Sequence, residues 1–127
     1  MPIKGTTYGI DDDSDYSVQN IKIINGSYVF DVKTPNALLE DFKFSLPGRH
    51  NLSNALIALA MTVEYGIPKP QLAKALASYK GVKRRFTYQI KTDDLVFIDD
   101  YAHHPEEISV IYDSLVESYP NENYLVA

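Results

Sequence analysis

Three short stretches carry most of the side chains in this 127-residue chain that could do chemistry: residues 48–55 (Gly-Arg-His-Asn-Leu-Ser-Asn-Ala), 81–86 (Gly-Val-Lys-Arg-Arg-Phe) and 99–105 (Asp-Asp-Tyr-Ala-His-His-Pro). In the first, Asn51 and Asn54 stand three apart at the start of a run with helical spacing, so their carboxamides leave the same face of the first turn. An amide offers both a donor and an acceptor, which is what the edge of an adenine presents in return. The competing role for Asn51 is a helix N-cap, where Asn is a preferred residue. Asn54, already inside the turn, is less well explained that way. His50 has an equally plain alternative as a hydrogen-bonded structural histidine.

In the second stretch Arg84 and Arg85 are adjacent where a strand begins, so they point to opposite sides. A guanidinium fork matches a phosphate bidentately, while the plain alternative is a solvated basic loop. The third stretch follows the apolar run Leu95 to Ile98, which puts Asp99 and Asp100 at the carboxyl end of a strand just before a helix. Ligands of open α/β sheets bind at such ends, and an acidic residue there commonly accepts from ribose hydroxyls. Asp99, Asp100, His103 and His104 are also four potential metal ligands within six residues. Adjacent pairs need a distant further partner to close around one ion, and a metal-dependent phosphohydrolase is the function that this alternative would imply.

The elements that must position these residues are legible in the spacing. Residues 16–24 and 27–33 alternate polar and apolar side chains around Asn25-Gly26, the strongest short-range signal for a hairpin with a type I′ turn. Residues 38–45 supply a third strand with Phe42 and Phe44 on one face. From Arg49 the period becomes helical, with Leu52, Leu56, Leu59 and Val63 on one stripe and Gly66 and Pro68 as stop signals. A second helix opens at Pro70, aligns Leu72, Leu76 and Tyr79, and ends at Gly81. Residues 85–91 read as a strand, 92–94 as a turn, and 95–98 as a continuous apolar strand covered on both faces, as in a parallel sheet. Pro105 opens a third helix, with Glu106 and Glu107 in the turn where the macrodipole favours them. Its inward face should be Ile108, Ile111, Tyr112 and Leu115, and residues 124–127 start another strand.

Composition narrows the classes further. With 12 Lys+Arg against 17 Asp+Glu, the net charge of −5 makes sequence-independent binding to nucleic-acid phosphates a poor fit. There is no Cys, which excludes a disulfide scaffold, a thiolate metal site and a cysteine nucleophile, and suits a cytoplasmic setting. The longest apolar run, Ala55 to Met61, is far short of the roughly 20 residues of a membrane span, and residues 1–5 lack the pattern of a secretory signal. The acidic run Asp11 to Asp15 reads as a solvated loop, since it lacks the spaced Gly and distal Glu of a calcium loop.

Taken in order, the three stretches resemble the Mur ligase family. Residues 46–56 (Leu-Pro-Gly-Arg-His-Asn-Leu-Ser-Asn-Ala-Leu) resemble its adenine-side motif, residues 80–86 the end of its central domain, and residues 99–105 the entry to its C-terminal domain; Thr7-Tyr8-Gly9 and the Asn-Gly hairpin extend the likeness. The resemblance implies an α/β fold: antiparallel strands with a hairpin, a helical hairpin, then the strand–helix–strand start of a Rossmann-like domain. Residues 1–90 would be the later part of the ATP-binding central domain, and residues 91–127 the beginning of the C-terminal one. It implies that Asn51 and Asn54 face adenine, Arg85 the phosphates and Asp100 the ribose. His50, Tyr101, His103 and His104 would lie near the substrate cleft, and none is assigned as catalytic or metal-binding.

The activity so implied is ATP- and Mg²⁺-dependent joining of L-alanine to UDP-N-acetylmuramate in peptidoglycan precursor synthesis. A related recycling ligase that attaches murein tripeptide is the alternative, with Tyr101 leaning towards the former. The Gly-rich phosphate loop with its Lys and Thr or Ser does not occur in these residues. The expectation is therefore an internal piece of a longer enzyme, inactive and without bound cofactor by itself, with no nucleic-acid or membrane partner; oligomeric state is not read from the sequence.

Overall fold

A computed structural model describes residues 5–127. Residues 1–4, the start of the expected first domain, lie outside the described residues. The first sheet has the order β1 (Tyr8–Ile10), β2 (Tyr16–Ile24), β3 (Ser27–Lys33), β4 (Leu38–Phe44). The hairpin turns at Asn25 and Gly26, whose φ angles of 51° and 74° are those a type I′ turn requires. β3 and β4 pair antiparallel and bring Phe30 opposite Phe42. Their rings stack at 5.9 Å.

The short β1 was not evident from the sequence. It runs parallel to β2, and the acidic loop doubles back between them. The loop is closed by its own side chains: Asp15 Oδ2 accepts from the Thr7 amide at 2.9 Å, and Asp12 Oδ1 from the Ser14 amide at 3.0 Å.

Helices α1 (Arg49–Glu64) and α2 (Lys69–Ser78) form the helical hairpin and lie on the sheet. The core joins Val18, Phe30 and Phe42 to Leu52, Leu56 and Leu72. The expected helical stripe is the one that packs, with Ala55 added and Val63 at its margin. No helix among the described residues is long and apolar enough to cross a membrane.

Beyond α2 come β5 (Thr87–Lys91), β6 (Val96–Asp99) and α3 (Pro105–Ser118). The mixed α/β class is as expected, and four local details differ. β5 starts at Thr87 rather than Arg85, because Arg84 and Phe86 have φ angles of 59° and 47°, outside strand conformation. β6 pairs antiparallel with β5 alone, leaving Leu95 and Phe97 more than half exposed. On α3, Ile108 and Tyr112 face solvent, whereas Ser114 and Ser118 are buried. The small hydroxyl face is the one that fits closely against the start of α1, where Ser114 Oγ approaches Gly48. Residues 124–127 form no strand, and Leu125 is almost fully exposed. The last three differences share one cause: among the described residues nothing pairs with or covers these apolar surfaces.

Candidate functional site

The site begins at the entry to α1. Gly48 is the N-cap, with φ 99° and ψ 131°, and no side chain caps the helix. The capping alternative for Asn51 is therefore not what forms: Asn51 lies inside the first turn. Its Nδ2 donates to the Pro47 carbonyl at 2.7 Å. A carbonyl can only accept, so this bond fixes the orientation of the amide and leaves Oδ1 as the atom able to accept from a ligand.

Asn51 and Asn54 border a cavity of about 440 Å³ between α1, α2, the end of β4 and the segment leading to β5. Its walls are mainly apolar, with Phe44, Leu59 and Leu76 among them, and Arg85 reaches it from the far side. Tyr79 stacks on Phe44 at 6.4 Å and extends that wall. A mainly apolar pocket with a few convergent polar groups is the usual form of a small-molecule site. A second hollow of about 380 Å³ lies over Asp11, Asp12 and Asp13, opens widely to solvent, and contains none of the three chemical stretches.

Arg85 is presented by a strained turn. The flanking Arg84 and Phe86 both have left-handed φ angles, at a cost of about 1–3 kcal/mol each for a non-glycine residue. Phe86 is buried and anchors the segment. The turn is held from the end of β6: Asp100 Oδ2 accepts from the Phe86 amide at 2.7 Å, and the Tyr101 amide donates to the Arg84 carbonyl at 3.0 Å. The Arg84 guanidinium also lies 4.9 Å from the centre of the Tyr101 ring.

His50 stands near both Arg85 and Asp100. Partial burial lowers its pKa; Asp100 opposes that shift and Arg85 adds to it. A lowered histidine pKa means that the unfolded chain takes up a proton first as pH falls below the ordinary 6.5. His50's share of stability is thus present above pH 6.5 and lost as pH falls through its folded pKa. Urea midpoints measured from pH 7.5 down to 5 should decline, and His50→Gln should flatten that decline. An unchanged slope in the variant would remove His50 as its source.

The remaining expected residues sit apart from the cavity wall. His103 Nδ1 is 3.0 Å from the Tyr101 carbonyl oxygen, and its ring lies 4.3 Å from that of His104. Glu107 accepts from the amides of both histidines, and these bonds hold its carboxyl below the usual range. Tyr101, His103 and His104 are exposed and do not line the cavity. Among the described residues no three His, Asp or Glu side chains converge as a metal site. Asp100 is turned towards backbone amides and His103 towards a carbonyl, so the metal-dependent phosphohydrolase has no centre here.

Some contributors were invisible in the sequence. Tyr28 on β3 accepts from the Gly48 amide at 3.1 Å and donates to Glu117 on α3 at 3.1 Å. Glu117 also pairs with Arg49 at 3.2 Å. Burial, with Glu117 beside it, pushes the Tyr28 hydroxyl pKa well up, which favours the neutral hydroxyl that donates to Glu117. This network ties the start of α1 to α3 across 68 positions of sequence, and no local pattern announces such a pairing.

The model of the Mur ligase middle domain matches residues 2–62. Over that stretch, just under half of its length, the chain resembles the Mur ligase family. It is also similar along nearly its whole length to two UDP-N-acetylmuramate–L-alanine ligases. It is 57% identical over 125 residues to that of Christiangramia forsetii and 56% identical to that of Flavobacterium psychrophilum, in each case over 98% of this chain and 28% of the relative. The crystal structure of UDP-N-acetylmuramate-alanine ligase MurC from Thermotoga maritima superposes with a TM-score of 0.79 at 28% identity, over 92% of this chain and 27% of that one. The chain thus spans little more than a quarter of the length of the relatives it matches.

Proposed function

We propose that this segment holds the nucleotide in an ATP-dependent ligase that joins L-alanine to UDP-N-acetylmuramate. The observation that carries this is the convergence of Asn51, Asn54 and Arg85, from two separate segments, on one cavity. Asn51 Oδ1 accepts from the exocyclic amine of adenine, Asn54 completes the edge, and the apolar walls take the faces of the ring. Arg85 sits where it can receive phosphate oxygens, and a free lone pair on Asp100 receives a ribose hydroxyl. In the reaction the lactyl carboxylate takes the γ-phosphoryl group of ATP, ADP leaves, and the amine of L-alanine attacks the acyl phosphate to release phosphate. Arg85 stabilises charge on the nucleotide phosphates throughout, which is the main contribution of protein to phosphoryl transfer. The described residues offer no converging ligand set for Mg²⁺, and no step here runs through it. The same reading assigns residues 1–90 to the central domain and 91–127 to the C-terminal one, with the β5–β6 hairpin at the junction. Such an enzyme works in the cytoplasm, where ATP and nucleotide sugars are made.

Calorimetric titration of the chain with ATP and GTP tests the site. ATP should bind more tightly than GTP, whose O6 cannot donate to Asn51. Asn54→Leu should weaken ATP by about tenfold, the order expected for one lost hydrogen bond in a desolvated pocket. Equal affinity for the two nucleotides would remove the adenine assignment. With ATP, UDP-N-acetylmuramate and L-alanine all supplied, the chain alone should release no phosphate above blank.

A further inference from the structure

We infer that Asp100 is a positioning residue for Arg85: its carboxylate is the brace that keeps the strained Arg84–Phe86 turn aimed at the cavity. The inference deepens the nucleotide reading above and rests on it for its affinity measurements alone. Both oxygens of Asp100 are engaged by backbone, Oδ2 by the Phe86 amide and Oδ1 by the Ala102 amide, each at 2.7 Å. One carboxylate thereby fastens the turn before β5 to the segment after β6. Short bonds from N–H to an ionised oxygen are the stronger kind.

The need for a brace lies in the turn itself. Non-glycine residues in left-handed conformation persist where their surroundings over-determine them, and here two of them, Arg84 and Phe86, flank Arg85. The contacts that determine them come from both sides. Phe86 is anchored by burial, and Arg84 is held through its carbonyl by the Tyr101 amide and over the Tyr101 ring. Asp100 supplies the bond to the Phe86 amide, and without it that N–H has no strand partner, since β5 begins one residue later. A residue that served the ribose alone would need neither contact.

Asp100→Asn separates the roles, because an amide has one acceptor oxygen where the carboxylate uses two. In the nucleotide-free chain, amide hydrogen exchange at Phe86 or Ala102 should accelerate by about tenfold or more, while Val18 and Phe30 in the first sheet keep their protection and show that the fold is intact. In titrations with inorganic tripolyphosphate, which lacks the ribose that Asp100 also receives, the variant should bind about tenfold more weakly, and Asp100→Asn combined with Arg85→Ala should bind no more weakly than Arg85→Ala alone. Exchange at both amides unchanged, or losses that multiply in the double variant, would overturn the brace. If the parent chain binds no ATP, the nucleotide reading fails, and the exchange rates still decide for or against the brace.

Discussion

Phe42→Ala is expected to lower the unfolding free energy by about 3–5 kcal/mol, the range for removing a large aromatic ring from a packed core. Phe42 is fully buried and stacks on Phe30, and both belong to the cluster that joins the sheet to α1 and α2. Domains of this size hold about 5–15 kcal/mol in all, so one ring represents a large share of the margin. Alanine leaves a void that rigid neighbours on β3 and α2 fill only in part. Urea unfolding checks this: the midpoint should fall with the slope unchanged. A loss below about 1 kcal/mol, the scale of an ordinary surface change, would mean that the sheet and helices are not packed as described.

Gly48→Ala is the second large effect, and it bears on the site as well as on stability. Gly48 has φ 99°, a conformation that L side chains rarely adopt, and a Cβ there would lie 2.6 Å from Ser114 Oγ and 2.7 Å from His50 Cε1. Backbone strain and overpacking each cost about 1–3 kcal/mol, so a loss on the order of 3 kcal/mol is expected. Because the clash pushes on His50 and on α3 together, ATP affinity should fall along with the urea midpoint. Adding Ser114→Gly should restore part of the stability by relieving one contact, while the φ penalty remains. Full recovery would show that crowding alone, and not backbone conformation, demands glycine at this position.

Much of the first two-thirds of the fold was legible because its signals are local. The Asn25-Gly26 turn sets the hairpin, alternating side chains set the strands, and the spacing of Leu52, Leu56 and Leu59 sets the buried face of α1. Legibility failed where a neighbour, rather than the spacing, decides. Ile108 and Tyr112 have the helical period of a buried stripe, yet α3 docks through Ser114 and Ser118 because Gly48 leaves room there for a small hydroxyl face. The run from Leu95 to Ile98 has the composition of a strand covered on both sides, but among the described residues only β5 pairs with it. Residues 124–127 have strand composition, yet among the described residues they pair with no strand.

For the site, the sequence by itself determined which side chains are available and which chemistry they suit: two amides one turn apart, a guanidinium at the start of an expected strand, and a carboxylate at the end of an apolar strand. Residue type and spacing are local properties, and the helical period alone places Asn51 and Asn54 on one face. Only the tertiary structure decided that Arg85 meets those amides across one cavity, that Asp100 directs both oxygens to backbone amides, and that the two histidines stand away from the cavity wall. Those outcomes depend on where α2 and the segments flanking the β5–β6 ribbon come to rest beside α1. That placement is settled by the burial of Leu72 and Phe86 and by a strained turn, contacts between residues far apart in the chain that no short pattern encodes.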